Sequence, residues 1–205
     1  LLIFYHLGIS FTSLARQTLF IQNKRVVEGI WPLLNLMNSW RIPLVFLIAG
    51  VALRLSFRKR TKMQIFKERA KVLGLPWLFG PLVFSTSSVF IVGKYYDYWF
   101  LDEINEAALF SFQYQGLHLW FLINIFIYCW LFVPILNFIS KENFISLLLN
   151  RPGGIFIFAI PIIAEGHLLN SVRFKTETYG DYYTTYALTE HGFILGLIWF
   201  AIGII

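Results

Sequence analysis

The sequence predicts an all-α fold, a polytopic bundle of transmembrane helices with about six spans. Of its 205 residues, 58% are hydrophobic and 14% are charged, whereas soluble domains carry about 25% charged residues. The apolar residues form long runs, without the alternation of apolar and polar residues that membrane β-barrels show. A soluble core of this size does not hide so much apolar surface, so we expect the bilayer to act as a second apolar solvent.

Six apolar runs correspond to the predicted spans. They cover residues 1–12, 32–55, 72–92, 117–138, 153–168 and 187–205. The first and the last run meet the ends of the chain, so we expect the sequence to be incomplete at both ends. No internal repeat, low-complexity tract or flexible linker interrupts it, which predicts a single domain over residues 1–205.

The basic residues orient these spans. Segment 54–71 contains eight basic residues and one acidic residue, and such segments stay on the cytoplasmic side. Alternation then puts residues 139–152 inside. The same alternation puts residues 13–31, 93–116 and 169–186 outside. The basic segment is either a stop-transfer charge cluster or a phosphate-binding surface. Topology and anionic lipid headgroups account for the net charge of +6, so we expect no nucleic-acid partner.

Two ionisable residues lie within the predicted spans, where burying such a group costs about 2.5–3.5 kcal/mol. His6 is a candidate general base, since imidazole is neutral near working pH and accepts a hydroxyl proton. The alternative is a histidine that is hydrogen-bonded between helices. Arg41 is a candidate for binding a carboxylate, a phosphate or a developing oxyanion. The alternative is an arginine that extends to the outer headgroups along its apolar stem.

Other polar residues lie at the ends of the predicted spans. His118 and Trp120 open the fourth run, and we interpret them as interfacial anchors or as substrate contacts on the outer side. Glu165, His167 and His191 lie near the predicted outer interface, and we interpret them as structural residues. No residue spacing typical of a metal site occurs in the sequence, so we expect no metal.

Three segments together resemble one protein family. They read NSWRIPLVFLIAGVALRLSFRKR, FKERAKVLGLPWLFGPLVF and GLHLWFLINIFIY, and Tyr5 and His6 precede them in an apolar run. Their order and rough spacing are similar to those of the acyltransferase-3 family of membrane acyltransferases. The similarity is closest to the branch of glucan O-succinyltransferase-like proteins, and it extends over most of the chain.

The resemblance implies a membrane-bound O-acyltransferase of a bacterial inner membrane, with about ten spans in the full-length protein. An acetyl or succinyl group would move from acyl-CoA on the cytoplasmic side to a hydroxyl group of a carbohydrate or surface polymer. Acyl-CoA would be a substrate, and the resemblance implies no permanently bound cofactor.

The resemblance also implies roles for individual residues. His6 matches the histidine of the family's first span, which is the proposed base or acyl relay, and we expect Arg41 to act as its oxyanion partner. Basic residues at the cytoplasmic mouth would bind the phosphates of the donor: Arg58, Arg60, Arg69 and Lys71. The family has paired arginines that map onto Arg69 and position 72. This chain has Val72 there, so Arg69 and Lys71 would have to bind the donor.

Three alternatives remain open. A transporter of a lipid-linked or sugar substrate needs discontinuous helices and a site near the middle of the membrane, which Pro43 and three later prolines allow. A structural subunit would use its polar residues only to pack helices. A degenerate family member would bind the donor without reacting, which the valine at position 72 allows.

Overall fold

The computed structural model describes residues 2–13, 15, 20–80, 83–84, 86–97, 119–139, 152–165 and 190–205. Within these ranges the chain is mostly helical and contains no strand, which confirms the all-α prediction for this part of the protein. The helices are α1 (Leu2–Ile9), α2 (Trp31–Phe57), α3 (Lys62–Arg69), α4 (Leu75–Gly80), α5 (Thr86–Tyr96), α6 (Trp120–Phe132), α7 (Leu136–Ile139) and α8 (Glu190–Ile204).

Helix α2 is the longest of these helices, with 27 residues. Its bounds agree with the predicted run 32–55 to within two residues at each end. Proline at the second position suits a helix start, where the backbone N–H needs no partner within the helix. The helix continues through Pro43.

One helix among the described residues is long and apolar enough to cross a membrane, the segment Trp40–Phe57 of α2, of which 22% is buried. The other apolar helices in this part of the chain are shorter, at Trp120–Ile135, Phe156–Glu165 and Gly192–Ile204. The helical content is therefore confirmed, while the number of spans stays a prediction.

The second half of the basic segment is helical. Helix α3 starts after Thr61, whose hydroxyl accepts a hydrogen bond from the Gln64 N–H at 3.3 Å, while the Gln64 side chain accepts one from the Thr61 N–H at 2.9 Å. This reciprocal capping box stabilises the first turn of the helix. A π-helical turn, Ala70–Gly74, leads into α4. The helical structure thus begins well before residue 72, where the sequence predicts the third span.

The described helices belong to two compact units. Unit 1 comprises Leu1–Ile42 and Trp77–Trp120, and unit 2 comprises Pro43–Pro76 and Phe121–Ile205. The prediction of a single domain over residues 1–205 stays a prediction.

In unit 1, α1 packs against the first half of α2. Tyr5, Ile9, Ala15 and Leu34 form a buried apolar cluster. A Cβ added to Gly8 would lie 2.6 Å from a methyl carbon of Leu34, so the glycine permits this approach. The packing places the helix that carries His6 beside the part of α2 that carries Arg41.

In unit 2, α2 and α8 approach each other through glycines. A Cβ on Gly50 would overlap the backbone oxygen of Phe200, and a Cβ on Gly203 would overlap that of Leu47. Close backbone contact at small residues is typical of helix pairs in membranes. A Cβ on Gly196 would lie 2.9 Å from the Phe46 ring.

The residue pairs also give the direction of α2 and α8. Along the interface, Phe46 faces Gly196, Gly50 faces Phe200, and Gly203 lies against both Leu47 and Val51. The numbers rise together, so the two helices run in the same direction. Alternating topology predicts this same direction for the second and the sixth span.

Candidate functional site

The Arg41 guanidinium lies against the ring of Tyr5. Its central carbon is 3.7 Å from the ring centroid, and Tyr5 is only 3% exposed. The Nε and Nη1 atoms of Arg41 are buried. A guanidinium over an aromatic face gains about 0.5–2 kcal/mol of attraction, and the stacking also fixes the orientation of its N–H groups. At least these two guanidinium nitrogens of Arg41 are therefore shielded from solvent, although the residue as a whole is only partly buried.

The His6 side chain lies between two aromatic rings. It stacks on Phe20, with ring centroids 5.2 Å apart and an interplanar angle of 19°. It meets Tyr5 edge to face at 5.6 Å. The Nδ1 atom of His6 is buried. Tyr5 thus contacts both predicted catalytic residues and links them.

Tyr96, at the end of α5, holds the segment that carries Phe20. Its hydroxyl donates a hydrogen bond to the Phe20 carbonyl oxygen at 3.1 Å and accepts one from the Gln22 N–H at 2.9 Å. Both partners of the Tyr96 hydroxyl are backbone groups, so one side chain contacts the main chain of the segment at two points. The stacking partner of His6 is fixed by a third helix through this tyrosine.

A second candidate site lies in unit 2, where Arg69 is directed at the end of α2. Its Nη2 atom donates a hydrogen bond to the Ser56 hydroxyl at 3.3 Å. Ser56 in turn donates to the Ala52 carbonyl oxygen at 2.8 Å, one turn earlier. The Nε atom of Arg69 is buried and has no hydrogen-bond partner within the described residues. A buried donor of this kind costs about 1–3 kcal/mol unless an acceptor such as a phosphate or water satisfies it.

The other predicted donor contacts differ in their surroundings. Arg60 forms an ion pair with Glu68. Arg58 and Lys71 are exposed. Val72, in the π-helical turn, is 54% exposed, so the position that the family's second arginine would occupy faces outward. Arg69 is the predicted donor contact with the most buried and most restrained guanidinium.

The remaining predicted residues are either buried or outside the described part of the chain. Trp120 begins α6 and is 6% exposed. Glu165 is buried. His118, His167 and the side chain of His191 lie outside the described residues. Their predicted roles as substrate contacts or structural residues stay predictions.

Sequence reasoning did not single out four residues that shape these sites. Tyr5 contacts both His6 and Arg41, and its position directly before His6 is the one feature of the sequence that points to it. Phe20 and Tyr96 are distant in sequence and meet only through the fold. Ser56 follows Arg54 in a charged segment, and only its position near the end of α2 makes it a partner for Arg69.

The described residues contain no cluster of potential metal ligands. Within the described ranges, no group of three or more histidine, cysteine, aspartate or glutamate residues is arranged to hold a metal ion. Comparisons with protein-family models, with curated proteins and with solved structures each found no match to this chain.

Proposed function

We propose that this chain is part of a multi-pass membrane O-acyltransferase similar to the acyltransferase-3 family, located in a bacterial inner membrane. It would transfer an acetyl or succinyl group from acyl-CoA to a hydroxyl group of a carbohydrate or surface polymer. The observation that carries the proposal is the group formed by Arg41, Tyr5 and His6. A fixed cation lies beside a residue that contacts a candidate base, as acyl transfer to a hydroxyl requires.

The membrane assignment is supported by apolar surface and by helix packing. Large apolar side chains on α2 are exposed, among them Leu36, Ile48 and Leu55. The 18-residue apolar window of α2 is mostly outside the protein's own core, unlike the core helix of a soluble protein. The glycine contacts of α2 and α8 add the packing that membrane helices use.

The proposed reaction uses His6 as base and Arg41 as oxyanion partner. His6 accepts the proton of the acceptor hydroxyl while its oxygen attacks the thioester carbonyl carbon. The C–O bond forms and the carbonyl oxygen becomes an oxyanion, which the Arg41 guanidinium stabilises. The C–S bond then breaks, and the proton passes from His6 to the departing CoA thiolate. The products are an ester and free CoA.

The donor would be bound at the cytoplasmic side by Arg69, with Lys71, Arg58 and Arg60 as further contacts. Guanidinium groups bind phosphates through charge-assisted hydrogen bonds. Arg69 is held at one nitrogen by Ser56, which leaves its Nε donor for the ligand. Because position 72 is a valine, Arg69 and Lys71 would have to bind the donor.

The test uses the full-length protein in nanodiscs with radiolabelled acetyl-CoA or succinyl-CoA and a carbohydrate acceptor. We expect His6→Ala to lower kcat at least about 100-fold, since general-base catalysis contributes about 10²–10⁴-fold. The matched control is Leu7→Ala, which changes the neighbouring, exposed residue of α1 and should leave the rate unchanged.

Full activity in His6→Ala, with Leu7→Ala folded and active, would exclude His6 as the base. Absence of transfer from either donor by the folded wild-type protein would remove the acyltransferase proposal altogether.

A transporter is the second candidate. Helix α2 contains Pro43 but stays continuous, whereas the π-helical turn Ala70–Gly74 interrupts the helical segment between α3 and α4. Transporters use such discontinuous helices to line substrate sites. Uptake of a sugar by proteoliposomes in the absence of acyl-CoA would favour this candidate over acyl transfer.

A further inference from the structure

The cations of the basic segment fall into two groups according to what they contact. One group bonds to the protein itself. Arg60 pairs with Glu68, Lys62 donates to the Pro134 carbonyl oxygen at 2.7 Å, and Arg69 donates to Ser56. These cations serve internal contacts.

Arg58, Lys59, Lys67 and Lys71 form the other group. Arg58 and Lys71 belong to the proposed donor site, which leaves Lys59 and Lys67. Both side chains are exposed, and neither ammonium group has a hydrogen bond or ion pair with the part of the chain that the structure describes. Glu68 is the one acidic residue of segment 54–71, and Arg60 already engages it. The charges of the two lysines are therefore available to an external anion.

Apolar side chains accompany the two lysines. Met63 lies one helical turn before Lys67 and is 64% exposed. Val72 and Leu75, which follow, are exposed as well. A soluble anion would contact the lysines and leave these apolar residues in water. A phospholipid would meet both, with its phosphate at the lysines and its acyl chains at the apolar residues.

We propose that Lys59 and Lys67 bind the headgroups of anionic phospholipids, with Met63 against the adjoining acyl chains. The site rests on the membrane assignment made above and is independent of acyl transfer. It involves none of the residues of the proposed donor site, and it would tie the cytoplasmic end of α2 and the start of α3 to the lipid surface.

The test counts the lipids that the full-length protein retains. The protein is placed in nanodiscs with equal amounts of phosphatidylglycerol and phosphatidylcholine, and native mass spectrometry measures the ratio of the two lipids bound. We expect K59Q/K67Q to lower the preference for phosphatidylglycerol about tenfold or more, since each lysine near the surface contributes to anionic binding. K59R/K67R should retain the preference, and so should K24Q/R25Q, which removes two exposed charges elsewhere.

An unchanged preference in K59Q/K67Q would overturn the proposal, and so would an equal loss in K24Q/R25Q. Displacement of the lipid by inorganic phosphate at low concentration would assign the lysines to a soluble phosphate ligand instead. If K59Q/K67Q fails to fold, the test is made on the wild-type protein at increasing salt concentration. Its preference for phosphatidylglycerol must then fall, because the screening length shortens to about 3 Å at 1 M salt. A preference that persists at high salt contradicts the proposal. None of these readouts depends on acyl transfer.

Discussion

At the scale of single residues, Tyr96 and Tyr95 offer a matched comparison. The Tyr96 hydroxyl makes two hydrogen bonds to the backbone of Phe20 and Gln22. Tyr95 is adjacent, 52% exposed, and its hydroxyl has no hydrogen bond within the described residues. One of the two neighbouring hydroxyls therefore holds the segment that stacks on His6, and the other does not.

We predict that Tyr96→Phe lowers the free energy of unfolding by about 1–3 kcal/mol, because it leaves a backbone donor and an acceptor without their partner. It should also lower acyl transfer, since Phe20 would no longer be fixed against His6. Thermal unfolding in detergent measures the first effect, and the transfer assay measures the second. Tyr95→Phe should change neither. Equal effects of the two substitutions would contradict the role given to Tyr96.

The sequence could identify His6 and Arg41 because ionisable residues are rare and costly within apolar runs. It could not identify Phe20 or Tyr96, since an aromatic residue in an apolar or interfacial segment carries no local signal of its partner. The contact between Arg41 and Tyr5 joins residues of two helices, so it depended on the packing of α1 against α2 and not on spacing along the chain.

At the scale of helices, the interface of α2 and α8 depends on the absence of side chains at Gly50 and Gly203. At both positions an added Cβ would meet backbone atoms, which cannot move aside as a side chain can. Gly74, in contrast, has nothing within 4 Å of an added Cβ.

We predict that Gly50→Ala destabilises the protein by about 3 kcal/mol, the upper end of the usual cost of overpacking, because a backbone oxygen blocks the methyl group. Gly74→Ala is the control and should be neutral or slightly stabilising. The measurement is the thermal unfolding midpoint of both variants in the same detergent. A midpoint of Gly50→Ala equal to that of the wild type would show that α2 and α8 do not pack in this way.

The helix boundaries show what the sequence could and could not predict. The bounds of α2 follow from its apolar run, which begins with Pro32 and is followed by charged residues. The start of α3 also had a local signal, since Thr61 and Gln64 have the spacing of a capping box, but the dense charges around it obscured the helix. The π-helical turn Ala70–Gly74 had no such signal, because it depends on packing rather than on local preference.

At the scale of the whole molecule, topology connects the proposals. The positive-inside rule puts the basic segment in the cytoplasm and the segment between α1 and α2 outside. The shared direction of α2 and α8 agrees with this alternation. The donor phosphates and the lipid headgroups would then be bound on one side of the membrane.

We predict that Lys24 and Lys59 lie on opposite sides of the membrane. Cys129 is the one cysteine in the sequence, so Cys129→Ala provides a background for single cysteines at these positions. A membrane-impermeant maleimide added to intact cells should label the Lys24→Cys variant, and should label Lys59→Cys only after permeabilisation. Labelling of both variants in intact cells would contradict the prediction that the two positions lie on opposite sides. Labelling of Lys59→Cys alone would show the reverse orientation.

We propose that the protein transfers an acyl group from acyl-CoA to a hydroxyl acceptor, and proteoliposomes with a defined orientation allow a decisive experiment. Radiolabelled acyl-CoA is supplied only on the side where Lys59 is accessible, and the carbohydrate acceptor only on the other. We expect labelled acceptor on the far side, with loss of the label in His6→Ala and free CoA released on the donor side. Acyl-CoA that stays intact beside a folded wild-type protein, with either donor, would contradict it.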